Sequence, residues 1–165
     1  MSKKRKDFTP RNDEGYDKKY FLKPEIYTID EITKHIRSDE SYVELNGTRV
    51  KVIGLRLNTF TKYTKCVNCS REGTHFRIAS NNDSKKGPHS FHLTLWSEDK
   101  VQMTKDHIIP SSKGGADHMS NMQCMCTKCN QKKGNTVTDK DVENGSYVEN
   151  YDPKNYLKNG EEDER

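Results

Sequence analysis

The sequence predicts an α+β fold: a small, metal-stapled core with a β insertion, preceded by a helix and a β-hairpin. Three observations predict it. Four of the five cysteines fall in two C-x-x-C pairs, Cys66/Cys69 and Cys126/Cys129. Between the pairs lie short runs of alternating apolar and polar residues, the mark of strands, and a lysine-rich helical turn begins at the second pair. The chain is also poor in core material. Of its 165 residues, 30 % are hydrophobic and 33 % charged, with a mean hydropathy of −1.13. A core this small calls for a staple.

Each element follows from its residues. Residues 1–24 are rich in lysine and carry no sustained periodicity; they read as a flexible basic arm suited to phosphate contacts. Residues 25–60 read as a helix and a hairpin. In TIDEITKHIR, Thr28 and Glu31 have capping-box spacing, and Ile29, Ile32 and Ile36 share one helical face. His35 lies beside that face as a packing or surface residue. SYVELNGTRVKVIGLRL alternates about Asn46-Gly47, a two-residue hairpin turn. This unit is expected to buttress the core or to add contact area for DNA.

Residues 61–138 read as the main domain. CVNCSREG is a knuckle-like turn; HFRIAS and SFHLTLWS are strands joined by the polar turn NNDSKKGPH. KVQMTKDHIIP is a further strand ended by Pro110, which cannot donate to a ladder. After the loop SSKGGADHMS, NMQCMC is short and extended, and TKCNQKKGN is one or two helical turns stopped at Gly134. Residues 139–165 read as an acidic, partly disordered tail, with Tyr147, Tyr151, Tyr156 and Leu157 as local docking points.

Net charge is +4, unevenly spread. The 139–165 segment has nine acids against four bases, a net of −5, which leaves +9 on the rest. A basic body suits a polyanionic partner, DNA above all. No run approaches the ~18 apolar residues of a membrane span, and no apolar stretch follows the basic N-terminus. A soluble, intracellular (cytoplasmic) protein without a membrane partner is expected.

Two C-x-x-C turns can close a tetrahedral zinc site in a reducing compartment. Four thiolates leave no open position, so that zinc is structural. Cys124, one residue from Cys126, has the wrong spacing for a knuckle and reads as a buried hydrophobe. Two unrelated readings compete, four free thiols and a redox dithiol, but two copies without a βαβ pattern disfavour the latter.

Asp106 and His107 stand on the strand before the glycine loop; Asn121 follows that loop, and Asn130 directly follows the last cysteine of the pairs. If strand and helix pack together, Asp106 and Asn130 offer oxygens to one hard cation, Mg²⁺ or Mn²⁺, with His107 beside it. CVNC, DHIIPSSKGG and NMQCMCTKCNQKKGN together resemble the His-Asn-His (HNH) endonuclease family, over roughly residues 66–135. The resemblance implies a treble-clef-like ββα-metal core and a metal-dependent DNA endonuclease leaving 5′-phosphate and 3′-hydroxyl ends. It further implies that His107 is the general base, that Asp106 and Asn130 bind the catalytic cation, and that Asn121 braces the loop and orients His107. A histidine, with an ordinary pKa of about 6.5, suits the base role near neutral pH. Asn130 stands where the family name has its last histidine, and many members resemble this chain there.

Lys113, Lys128, Lys132 and Lys133 surround the motif and read either as phosphate contacts or as a solvated face. His75, His89, His92 and His118 read as surface or strand residues, with His118 the reserve candidate for a catalytic role. Phe91 and Trp96 read as core aromatics. The runner-up function is a zinc-stabilised nucleic-acid-binding module without catalysis; a third is a redox or metal-buffering protein. Small HNH proteins resemble phage or mobile-element nucleases, restriction enzymes and packaging nucleases. With no second DNA-reading module in sight, a nickase or low-specificity nuclease directed by a protein partner fits best.

Overall fold

A computed structural model of the chain describes residues 14–16, 20–36, 40–81 and 91–148. Among these residues, seven strands and four α-helices build a mixed fold. Strands β1 (Tyr20–Thr28), β4 (Gly73–Asn81) and β5 (His92–Ser97) form an antiparallel sheet in the order β1-β4-β5. β2 (Tyr42–Leu45) and β3 (Thr48–Lys51) form a hairpin, and β6 (Met103–His107) pairs with β7 (Met122–Cys126). Among the described residues no helix is long and apolar enough to cross a membrane.

The local signals explain most of these elements. Helix α1 (Ile29–Ile36) starts with the capping box: Glu31 N–H donates to Thr28 Oγ1 (3.2 Å), and Glu31 Oε2 accepts from Thr28 N–H (2.7 Å). Its Ile32 is fully buried, with Ile29 and Ile36 packed on the same core. At the hairpin, Asn46 and Gly47 both take positive φ (49° and 78°) between the facing pair Leu45 and Thr48, as the twist of two short strands requires. Val43, Leu45 and Val50 then fall on the buried face.

Three segments fold differently from expectation. β1 begins at Tyr20, inside the segment read as a basic arm, and pairs along β4. Nearby, Tyr16 is buried edge-on against Trp96 (centroids 4.9 Å apart), and Glu14 pairs with the buried Arg77 at 2.6 Å. Residues read as the end of the hairpin instead enter helix α2 (Leu55–Lys62). Its Asn, Thr and Phe residues are weak helix formers; burial of Leu55, Leu57, Thr59 and Phe60 supplies the stabilisation that propensity lacks. Lastly, the segment read as an acidic tail opens with helix α4 (Asp139–Asn144), capped by a reciprocal Thr138–Asp141 box. The chain then docks: Ala116 N–H donates to Ser146 O (2.9 Å) and Val148 N–H to Gly114 O (3.0 Å). Tyr147 thus belongs to an ordered segment, though its side chain is 53 % exposed. The turn read at NNDSKKGPH, most of the arm, and Tyr151, Tyr156 and Leu157 lie outside the described residues.

One core links the sheets. Phe60, Phe76, Ile78, Leu93, Leu95 and Met103 are all essentially solvent-free and join Cys66, Cys126 and Cys129 in a single cluster. Trp96 is fully buried, and its indole N–H donates to Thr94 Oγ1 (2.7 Å). The cysteine turns therefore sit on the main core. The whole fold thus sets the position of the helix that starts at Cys126.

Candidate active site

The four paired cysteines meet. The sulfurs of Cys66, Cys69, Cys126 and Cys129 all lie within 4.8 Å of one another, compatible with a zinc site. Cys66 and Cys69 come from the turn between α2 and β4; Cys126 ends β7, and Cys129 lies in helix α3 (Thr127–Lys133). Polar hydrogens surround the sulfurs: Asn68 Nδ2 donates to Cys129 (3.3 Å) and Arg71 Nη1 to Cys126 (3.5 Å). Asp99 holds that guanidinium with two bonds, at 3.2 and 3.0 Å. Burial pushes the Cys66 thiol up, but the backbone N–H groups of Cys69, Cys126 and Asn68 outweigh it and bring it down to about 7. Cys124 differs. It is fully buried, and burial pushes its thiol up to about 12, as suits a core residue.

β6, β7 and α3 form a ββα unit on this cluster. The register Asp106↔Gln123 and His107↔Met122 fixes which residues face each other. Alternation along β6 gives neighbouring residues different sides. Thr104 and Asp106 face α3: Asn130 Nδ2 donates to Thr104 Oγ1 (2.9 Å), and Lys133 Nζ to Asp106 Oδ2 (2.6 Å). The helix spacing of Asn130 and Lys133 matches the strand spacing of Thr104 and Asp106, so both rungs form together. Gln123 Nε2 also donates to Asp106 Oδ2 (2.8 Å). His107 turns to the loop, where its Nε2 lies 3.0 Å from Asp117 Oδ1.

Two of these partners are not evident in the sequence. Asp117 lies ten residues from His107, in a loop whose path no local pattern predicts; the signal available is a lone acid after two glycines. Lys133, read either as a phosphate contact or as part of a solvated face, has its ammonium against Asp106 and the carbonyls of His107 (2.6 Å) and Ile108 (3.2 Å). Both side chains of the Lys133–Asp106 pair are about nine-tenths buried. Lys113, Lys128 and Lys132 do not share that role: Lys128 and Lys132 are exposed on α3, and Lys113 is exposed on a single 3-10 turn, Ser111–Lys113. His118 caps the next such turn, accepting from Ser120 N–H at Nδ1 (3.2 Å). His75 bonds Tyr16 Oη (3.0 Å).

Asn121 is fully buried and uses every hydrogen-bonding position it has. Its Oδ1 accepts from Ile109 N–H (3.0 Å) and Ser146 N–H (3.2 Å); its Nδ2 donates to Ile109 O and Ala116 O, both at 2.9 Å. One amide thus ties the end of β6, the glycine loop and the docked C-terminal segment. The packing is tight enough to require glycine: a Cβ on Gly115 would lie 1.7 Å from Ile109 O, and one on Gly145 2.6 Å from Ile109 Cγ1. Asn121→Ala is expected to leave two N–H groups and two carbonyls without partners. A cost of at least about 3 kcal/mol follows, read as a fall in Tm and in the urea midpoint. Unchanged stability would show that the loop does not depend on this amide.

Residues 97–144 match the family model described as HNH endonuclease. No curated protein and no solved structure gives a significant match to the chain. The matched span runs from the end of β5 through β6, β7 and α3 to the end of α4. It contains Asp106, His107, Asn121, Asn130 and the second cysteine pair, and stops short of Cys66 and Cys69 on the N-terminal side. At the level of the family, the match over this span suggests a nuclease domain.

Proposed function

We propose that the protein is a metal-dependent DNA endonuclease that hydrolyses a phosphodiester bond and leaves 5′-phosphate and 3′-hydroxyl ends. The observation that carries the reading is the His107–Asp117 pair beside Asp106, on a ββα unit within the span that matches HNH endonucleases. An ionised carboxylate only accepts hydrogen bonds, so Asp117 favours the tautomer with the proton on Nε2. The lone pair of neutral His107 then lies on Nδ1. That nitrogen takes a proton from water as the water oxygen attacks phosphorus, and the bond from phosphorus to the 3′ oxygen breaks.

Asp106 and Asn130 are the residues proposed to hold Mg²⁺ or Mn²⁺. Their oxygens suit a hard cation, and the Asp106 carboxylate already carries a cationic group, the Lys133 ammonium, in a buried setting. When bound, the cation compensates charge on the phosphate and assists departure of the 3′ oxygen. Plasmid nicking by the full chain with Mg²⁺ or Mn²⁺, and its loss on chelation of those ions, tests the reading. Binding of DNA without cleavage under either ion would favour the alternative, a zinc-stabilised binding module. The specific feature that speaks for that alternative is Lys133 lying on Asp106.

Asp117→Ala removes the partner that fixes the imidazole. Turnover is expected to fall by about 10- to 100-fold, the range seen when such orienting partners are lost elsewhere, with DNA affinity unchanged. The ¹⁵N shifts of His107 should show a mixed tautomer population in this variant. An unaltered tautomer with unaltered turnover would remove Asp117 from the mechanism.

A further inference from the structure

Beside the site lies a groove of about 790 Å³ that the mechanism does not use. Tyr63, Met119, Met122 and Met125 contribute aromatic and thioether surface to it, and Lys62, Lys132 and Lys140 bring positive charge. Gln123 and Lys133 line it too, and both donate to Asp106 Oδ2. The groove and the candidate metal site therefore share a wall. We propose that this groove receives an unstacked nucleobase next to the scissile phosphate, so that the preferred substrate is DNA with an unpaired strand: a flap, bulge or branch. The proposal rests on the nuclease reading above and narrows its substrate.

Three features favour this occupant. A B-form duplex cannot enter such a space, since its major groove alone is about 12 Å wide; a nucleotide can. Sulfur and aromatic surfaces suit the face of a base, whatever its sequence. Lysine is depleted at the cores of protein interfaces, whereas here four lysines and a single acid, Asp141, line the groove. Tyr63 is the best-placed stacking surface. It follows α2 directly, it is 38 % exposed, and Lys62 Nζ lies 5.4 Å from its ring centroid.

The test uses the full chain carrying His107→Ala, so that bound DNA stays intact, and duplexes with or without a bulged 2-aminopurine. Binding is expected to quench the bulged fluorophore, and bulged DNA to bind more tightly than paired DNA. Adding Tyr63→Ala should remove the quench and weaken bulged-DNA binding by about 5- to 150-fold, the range for loss of one stacked base. Met119→Ala, at a residue that also lines the groove, should weaken it in the same direction. In the otherwise native chain, Tyr63→Ala should lower cleavage of bulged DNA more than cleavage of paired DNA. Equal affinity for both duplexes with unchanged fluorescence would overturn the groove proposal and leave the nuclease reading standing. Loss of self-association in the Tyr63 variant, without effect on DNA, would assign the groove to a protein interface and also overturn it. Failure to bind or cleave any DNA would overturn both.

Discussion

His107→Ala is expected to abolish plasmid cleavage, a fall of at least about 10³-fold, within the range that a positioned general base supplies. Fold and DNA affinity should survive. The reason lies in how little else His107 does: its side chain is 25 % exposed, and its hydrogen bond to Asp117 is its visible attachment. Asp117, itself 40 % exposed, can return to water when the imidazole is removed. Neither change leaves a buried polar group stranded, so the stability cost should stay near about 1 kcal/mol. Circular dichroism and a Tm close to that of the native chain would verify this, and gel shifts with the same duplex would verify binding. His118→Ala is the matched control. That ring caps a turn and accepts from Ser120 N–H, so its loss should lower Tm slightly and leave cleavage in place. Cleavage that survived in His107→Ala and vanished in His118→Ala would move the base to the reserve histidine.

The motif-bearing elements are legible in the sequence because their determinants are local. A capping box at Thr28, an Asn46-Gly47 turn and two C-x-x-C turns each act over a few residues, and each is present. Helix α2 is not legible, because burial of Leu55, Leu57 and Phe60 against distant strands decides it and its own residues do not. β1 is hidden for a related reason. Its pairing partner β4 lies some fifty residues away, and lysine and proline in the segment dilute the strand pattern.

At the candidate site, residue types are legible and pairings are not. Asp106, His107, Asn121 and Asn130 are picked out by the resemblance of their motifs to the HNH family. That Lys133 lies on Asp106, with Asn130 one turn earlier on Thr104, depends on the rotation of α3 against β6. That rotation is fixed by Cys126 and Cys129 and by the packing beneath them. The docked Ser146–Val148 segment is likewise out of reach, since two of its bonds run to Gly114 and Ala116 through backbone atoms that carry no sequence signal.

Loss of a zinc ion held by the four-cysteine cluster would do more harm than loss of any residue proposed to be catalytic. Replacing Cys126 by Ser, or stripping zinc with a strong chelator, is expected to unfold the ββα unit. Four-cysteine zinc sites contribute on the order of 10 kcal/mol of folding free energy near neutral pH, comparable to the whole stability of an ordinary domain. The four sulfurs lie within 4.8 Å of one another, a spacing at which four thiolates repel unless a cation lies between them. Without that cation the unit keeps a five-residue strand pair, a two-turn helix and the share of the core carried by Met103, Cys124 and Met125, and short elements of this kind depend on such packing. Because protons compete for the sulfurs, zinc should also leave more readily as pH falls. Far-UV circular dichroism and quantified zinc release should change together on titration with chelator. Cys124→Ala, by contrast, removes a buried thiol outside the cluster and should cost only about 1–2 kcal/mol with zinc content unchanged. If Cys126→Ser kept full zinc content, native dichroism and native Tm, the metal would have no structural role, and the rotation of α3 that aligns Asn130 and Lys133 with β6 would have to come from the apolar core alone.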